Sequence, residues 1–229
     1  MPGPLVESAQ VPHWLRGLVD VAGQLDARTF TRYSPPPGTA TRPAAVLVLF
    51  GDGHGDSQGP DVLLLRRSEG LDSHPGQVAF PGGGAEEGDD GPVGTALREA
   101  EEETGLDPHG VLPVALLPEL WVPVSGFAVT PVLAHWAKPT PVHAVDPAET
   151  ATVARVPIEW LADPANRFQV SREDAGWRGP AFAVSSLFVW GFTAGLLSVL
   201  ISLGGWEREW DATDVRPLDE ALREHGEQL

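Results

Sequence analysis

The sequence predicts a single mixed α/β domain, and three features predict it. Short apolar runs of strand length recur between residues 44 and 156, bounded by glycine- and proline-rich loops. Residues 91–103 carry apolar and acidic side chains on separate helical faces. Residues 187–203 are mostly apolar and carry no charge. Strands interleaved with helices in this way define the α/β class.

In chain order, Val11, Trp14, Leu15, Leu18 and Val19 fall at roughly helical spacing, which predicts a short amphipathic helix over residues 11–25. Residues 34–43, rich in proline and threonine, read as a linker. Residues 44–50 and 62–65 flank a glycine- and aspartate-rich loop, giving strand, long hairpin loop and strand. A loop containing Pro75, Gly76 and Pro81 to Gly84 leads to the helix at residue 91. Asp90 is its expected N-cap, and Pro92 stands in the first turn, where a missing N–H costs nothing. Gly105 supplies the stop. Residues 111–117, 127–136 and 152–156 read as strands, 158–161 as a short helix and 187–203 as the last long one. The chain then turns polar, with a surface helix expected at 217–224. The expected organisation is an N-terminal helix and linker (1–43), the main domain (44–205) and a polar tail (206–229).

With 21% charged and 42% hydrophobic residues, the composition is that of a soluble globular protein. A net charge of −17 repels phosphates in the far field and argues against a general nucleic-acid or anionic-membrane surface. A small phosphorylated ligand is compatible with it if a divalent cation and local arginines reverse the sign. The absence of cysteine excludes disulfides and thiol chemistry. Residues 1–20 lack a basic stretch followed by an apolar run, so no secretory signal is expected. Residues 187–203 are short for a membrane span and diluted by Gly191, Thr193, Gly195, Ser198 and Ser202. They read as a buried core or dimer-interface helix, which leaves a homodimer open. A cytoplasmic protein is the expectation.

The chemistry is concentrated in Arg98-Glu99-Ala100-Glu101-Glu102-Glu103-Thr104-Gly105-Leu106. At about 100° per residue, Glu99, Glu102 and Glu103 share one helix face, while Val93, Leu97 and Ala100 form an apolar one and Glu101 points to solvent. Three such carboxylates repel one another by a few tenths of a kcal/mol per pair (roughly) on a bare helix. A hard divalent cation turns that penalty into binding energy. A solvated acidic face is the bland alternative in so acidic a chain. The upstream turn Gly82-Gly83-Gly84 weighs against it, because backbone without Cβ atoms can approach a metal closely.

These residues resemble the Nudix box, G-x5-E-x7-R-E-U-x-E-E-x-G-U with U bulky and aliphatic. Gly84, Asp90, Arg98, Glu99, Glu102, Glu103, Gly105 and Leu106 fall on it in register, with Asp90 in place of Glu and a small Ala100 at the first U. Upstream, Leu63-Leu64-Leu65-Arg66-Arg67-Ser68, Leu71, His74, Gly76 and Gln77 through Gly83 are similar to the signature of the coenzyme A pyrophosphatase branch, where Asp at the position of Asp90 is usual. Ser125-Gly126-Phe127, Val129 through Val132 and Phe188 through Gly195 extend the likeness over residues 44–203. At Glu149 the pattern is weaker.

The resemblance implies a Nudix α/β/α sandwich with a mixed sheet. It implies Glu99 and Glu103 as direct ligands of Mg²⁺ or Mn²⁺, and Glu102 as a third ligand or the base that activates water. The carbonyl of Gly83 or Gly84 would complete the set. Arg98 would hold the glutamates in an orienting ion pair. Arg66 and Arg67 suit bidentate phosphate contact or face solvent at a strand end; His74 braces its loop or touches ligand; Gln77 belongs to the same substrate-binding signature. The implied reaction splits the diphosphate of coenzyme A or an acyl derivative into 3′,5′-ADP and the phosphopantetheine half. Another nucleoside-diphosphate substrate (ADP-ribose, NADH, a nucleotide sugar), or a catalytically silent ligand-binding module, is the alternative.

Overall fold

The computed structural model describes residues 1–55, 59–71 and 74–226. Its principal sheet is built around β2 (Arg42–Gly51), which runs parallel to β8 (Phe127–Trp136) from Arg42↔Phe127 to Phe50↔His135. Outside β8 lie β6 (Val111–Leu116), β7 (Leu120–Val122) and the short β1 (Gly3–Pro4). On the other side β3 (Asp61–Arg67) continues the hairpin and pairs with β9 (Thr150–Pro157) and β4 (Val78–Ala79). The glycine strand β5 (Gly82–Gly84) pairs with the start of β2, with Gly83 opposite Ala45. One parallel pairing among antiparallel ones makes the sheet mixed, as expected.

Strand alternation explains how helices cover both faces. Ala45, Leu47 and Leu49 of β2, with Leu63, Val132, Ala134 and Trp136, pack against Ala96 and Ala100 of α2 (Gly91–Thr104). Val48, Phe50, Val62, Leu64 and Leu133 point the other way, into a core shared with α1 (Arg16–Ala22), α3 (Ile158–Leu161) and α4 (Gly191–Leu203). Burial on both faces is why β2 reads as an unbroken apolar run.

Several expectations shift. The N-terminal helix covers only Arg16–Ala22, preceded by a 3₁₀ turn at Ser8–Gln10. The segment 187–203 is not one helix: Leu187–Val189 forms β12, and α4 starts at Gly191, whose φ of +66° breaks the run. Asp90 occupies the N-cap position of α2 but makes no capping hydrogen bond. A second, antiparallel-rich sheet also appears, in which β10 (Arg167–Arg172) and β11 (Trp177–Val184) join β12, and β13 (Val215–Pro217) pairs parallel to β10. One face of it meets α4. The other is covered by α5 (Leu218–Glu224), through Leu218, Ala221 and Leu222. Among the described residues, no helix is long and apolar enough to cross a membrane.

Candidate active site

The site forms where α2 crosses β5. Gly105 closes the helix in the left-handed region (φ +66°), and Pro92 opens it. The apolar face of α2 is anchored on the sheet, so its acidic face turns toward the glycine strand. Glu103 accepts a hydrogen bond from the Gly82 N–H at 2.9 Å. A Cβ on Gly83 would overlap the Glu99 carboxylate, so only glycine leaves that group room beside the backbone.

Arg98 is the hub. Its guanidinium donates to Asp89 through Nε (2.9 Å) and Nη2 (3.1 Å), to the Gly84 carbonyl (3.0 Å), to Glu99 (3.1 Å) and to Glu102 (3.1 Å). It thereby ties the helix, the glycine strand and the preceding loop into one unit. Asp89 also accepts from the Thr95 hydroxyl (2.8 Å) and the Glu86 N–H (2.9 Å). The Arg98 guanidinium beside it holds the Asp89 carboxyl well below the usual carboxylate range. Sequence reading gave Asp90 the N-cap and the acidic position of the box, and gave Asp89 no role. The only signal for Asp89 was its adjacency, because the turn that aims it at Arg98 follows no sequence period.

The carboxylates sit in different surroundings. Burial pushes Glu103 up to about 7, with the Gly82 N–H and the charge of Arg67 opposing and the charges of Glu99 and Glu149 adding to the rise. Burial also raises Glu99, against the pull of Arg98. Glu102 is 60% exposed and free to meet water. Two half-buried carboxylates of like charge, beside backbone that carries no side chain, suit a hard divalent cation. Mg²⁺ takes only one or two carboxylates and fills its shell with water and substrate phosphate. Glu99, Glu102 and Glu103, expected together on one face, do not form a three-carboxylate cluster: among the described residues no group of three or more His, Asp or Glu is gathered closely enough to hold a metal.

The residues expected to bind substrate are only partly brought together. Arg67 lies close enough for its charge to act on Glu103, and its buried Nε has no hydrogen-bond partner among the described residues. Arg66 is engaged with Glu69 (2.5 Å) and the Gly76 carbonyl (3.2 Å). His74, in the left-handed region at φ +55°, is linked through Nδ1 to Gln77 Oε1 at 3.0 Å, which braces the loop.

Helix, glycine strand and arginine hub bring two half-buried carboxylates against backbone that carries no side chain, a donor set of the kind a hard divalent cation takes. The family described as NUDIX domain matches residues 40–173. The chain is 38% identical over 143 residues to the "Uncharacterized Nudix hydrolase NudL" of Pectobacterium atrosepticum, covering 62% of this chain and 73% of that one. It is 36% identical over 146 residues to the protein of the same description from Escherichia coli K12, at the same coverage. Among solved structures, a Nudix hydrolase from M. smegmatis, RenU, is similar at 19% identity and a TM-score of 0.48 over 74% of this chain and 89% of that one; the family assignment does not rest on it. The chain belongs to the Nudix family. It is a Nudix hydrolase, a class that generally uses divalent metal ions.

Proposed function

We propose that this hydrolase cleaves the diphosphate of coenzyme A or an acyl-coenzyme A, giving 3′,5′-ADP and (acyl-)phosphopantetheine, with Mg²⁺ or Mn²⁺. The observation that carries the hydrolytic part is the Glu99 and Glu103 pair against Gly82 and Gly83, braced by Arg98. The coenzyme A part is supported by the signature from Leu63 to Gly83 and by Asp at position 90.

In this reading Glu99 and Glu103 would hold the cation, with the Gly83 carbonyl as a further donor. The cation, when bound, neutralises charge building on the diphosphate oxygens and acidifies water. Arg98 keeps Glu99 and Glu102 in fixed rotamers, so little reorganisation is needed when substrate arrives. Glu102, exposed and tethered at one oxygen, takes the proton from the attacking water. Arg67, close enough for its charge to act on Glu103, offers positive charge for the substrate's phosphates.

The test is a panel of coenzyme A, acetyl-coenzyme A, ADP-ribose and NADH with each metal, scored by kcat/KM. Coenzyme A compounds should lead by at least tenfold. Faster turnover of ADP-ribose or NADH would overturn the substrate reading.

A further inference from the structure

Two buried threonines on α2 direct their hydroxyl protons differently. Thr104 donates to the Ala100 carbonyl at 2.6 Å, the bond to residue i−4 that a helical threonine can always make. Thr95 is 1% exposed and has the equivalent acceptor, the Gly91 carbonyl, at 3.2 Å. Its hydroxyl lies closer to Asp89 Oδ2, at 2.8 Å. A hydroxyl carries one proton and a carboxylate is the stronger acceptor, so that proton goes to Asp89. For packing alone valine would fill the same space, since it only exchanges the hydroxyl for a methyl. Asp89 itself lies outside the helix, one residue before the N-cap position.

Thr95 and Arg98 stand three residues apart on one helix face and close on the same carboxylate. Arg98 meets Oδ1 through Nε at 2.9 Å and Oδ2 through Nη2 at 3.1 Å, and the Glu86 N–H reaches Oδ2 at 2.9 Å. A guanidinium and a carboxylate on rotatable stems can swing together without breaking their bonds. Thr95 opposes that swing. Its β-branched side chain has few rotamers in a helix, and its oxygen is carried by backbone already fixed in α2. The guanidinium so held is the one that bonds Glu99, Glu102 and the Gly84 carbonyl. A displacement of Asp89 is therefore passed on to both glutamates. Among the described residues, the hydrogen bonds of Thr95 itself go to Asp89 and Gly91, so any effect on the glutamates runs through Asp89.

We propose that Thr95 is a positioning residue for the hydrolytic step, acting through Asp89 and Arg98 on Glu99 and Glu102. This rests on the reading that Glu99 and Glu103 hold the cation, whatever the substrate. Turnover and Mn²⁺ titration calorimetry of Thr95→Val, Thr95→Ser, Asp89→Ala and the double variant Asp89→Ala with Thr95→Val test it. Thr95→Val should lower kcat and Mn²⁺ affinity about tenfold each, with KM within about twofold of wild type. Thr95→Ser keeps the donor and should bring both back to within about threefold. In Asp89→Ala the Thr95 hydroxyl falls back on the Gly91 carbonyl, so adding Thr95→Val should change kcat by less than about twofold. Thr95→Ala repeats the cycle without the bulk of valine, should that variant fold poorly. A residue that only supports the helix would give a lower melting temperature with kcat and Mn²⁺ affinity unchanged, and that result overturns the proposal. So does a full tenfold loss from Thr95→Val on the Asp89→Ala background. If Glu103→Gln leaves Mn²⁺ binding intact, the cation reading fails, and the kcat cycle between Thr95 and Asp89 still decides the positioning role.

Discussion

Glu103 carries the clearest electrostatic signature in the site. Burial lifts its carboxyl from an ordinary 4.5 to about 7, so between those values the folded chain binds a proton that the unfolded chain releases. A raised folded pKa contributes stability that is fully present below about 4.5 and lost as pH rises through about 7. Without metal, the melting temperature should therefore fall across this window. In Glu103→Gln it should fall less, with the remaining slope supplied by Glu99. Thermal unfolding from pH 4.5 to 8 checks this, and identical slopes would refute it. A cation at Glu103 competes with the same proton. Mn²⁺ affinity should therefore rise with pH through about 7 and drop at least tenfold in Glu103→Gln, by titration calorimetry. The amide can still accept from Gly82, so the fold should persist. These glutamates were legible in sequence because one helical period fixes the face shared by positions 99, 102 and 103. The burial that separates Glu103 from exposed Glu102 was not legible, because it depends on where β5 comes to rest.

At the scale of elements, the start of α2 shows where a motif and its geometry part. The acidic motif position is Asp90, but Arg98 is held by Asp89, which bonds two of its nitrogens and also reaches Thr95 and Glu86. Asp89 is held low, so its contribution is present above about 3.8 and lost as pH falls below that value. Asp89→Asn should lower the melting temperature and cut kcat about ten- to a hundredfold, because Arg98 would no longer hold Glu99 and Glu102 in place. Asp90→Asn should be close to wild type in both. Comparing kcat and melting temperature of the two variants decides the matter: a larger loss in Asp90→Asn would transfer the anchoring role to Asp90, and equal losses would refute its assignment to Asp89 alone. The same contrast between local pattern and context governs the rest of the fold. Phe127–Trp136 and Ile158–Leu161 were readable to the residue because apolar runs and flanking breakers agree there. The second sheet was missed. Buried Arg167, stacked on Phe182 and Trp210, reads as a surface residue, so β10 loses its alternation. β12 disappeared into the apolar run of α4 because composition alone does not reveal the turn at Gly191.

For the whole molecule, the informative region is residues 206–226, expected to be a polar tail. Trp206 packs between Trp14 and Phe50, with ring centroids 6.3 and 5.7 Å away. Glu207 neutralises Arg167 at 3.1 Å, and β13 adds a parallel strand to β10. The Leu218, Ala221 and Leu222 face of α5 closes over Phe168, Val170 and Phe188, while its charges face water. The helix expected at 217–224 forms as α5, but its buried face was not legible, because a seven-residue element shows too few turns for its period to stand out. Leu222, 2% exposed, should cost about 2–5 kcal/mol when replaced by alanine. Because α5 shares no core cluster with α2, kcat per folded molecule should stay near wild type. Ending the chain at residue 205 should cost more: it uncovers the outer face of the second sheet and leaves Arg167 a buried charge without its carboxylate. Denaturant unfolding of Leu222→Ala and of the shortened chain, with activity normalised to folded protein, measures both effects. A shortened chain with wild-type stability would mean that residues 206–226 contribute nothing to the fold, whereas lost stability with retained kcat would place this segment in the support of the domain and outside the chemistry.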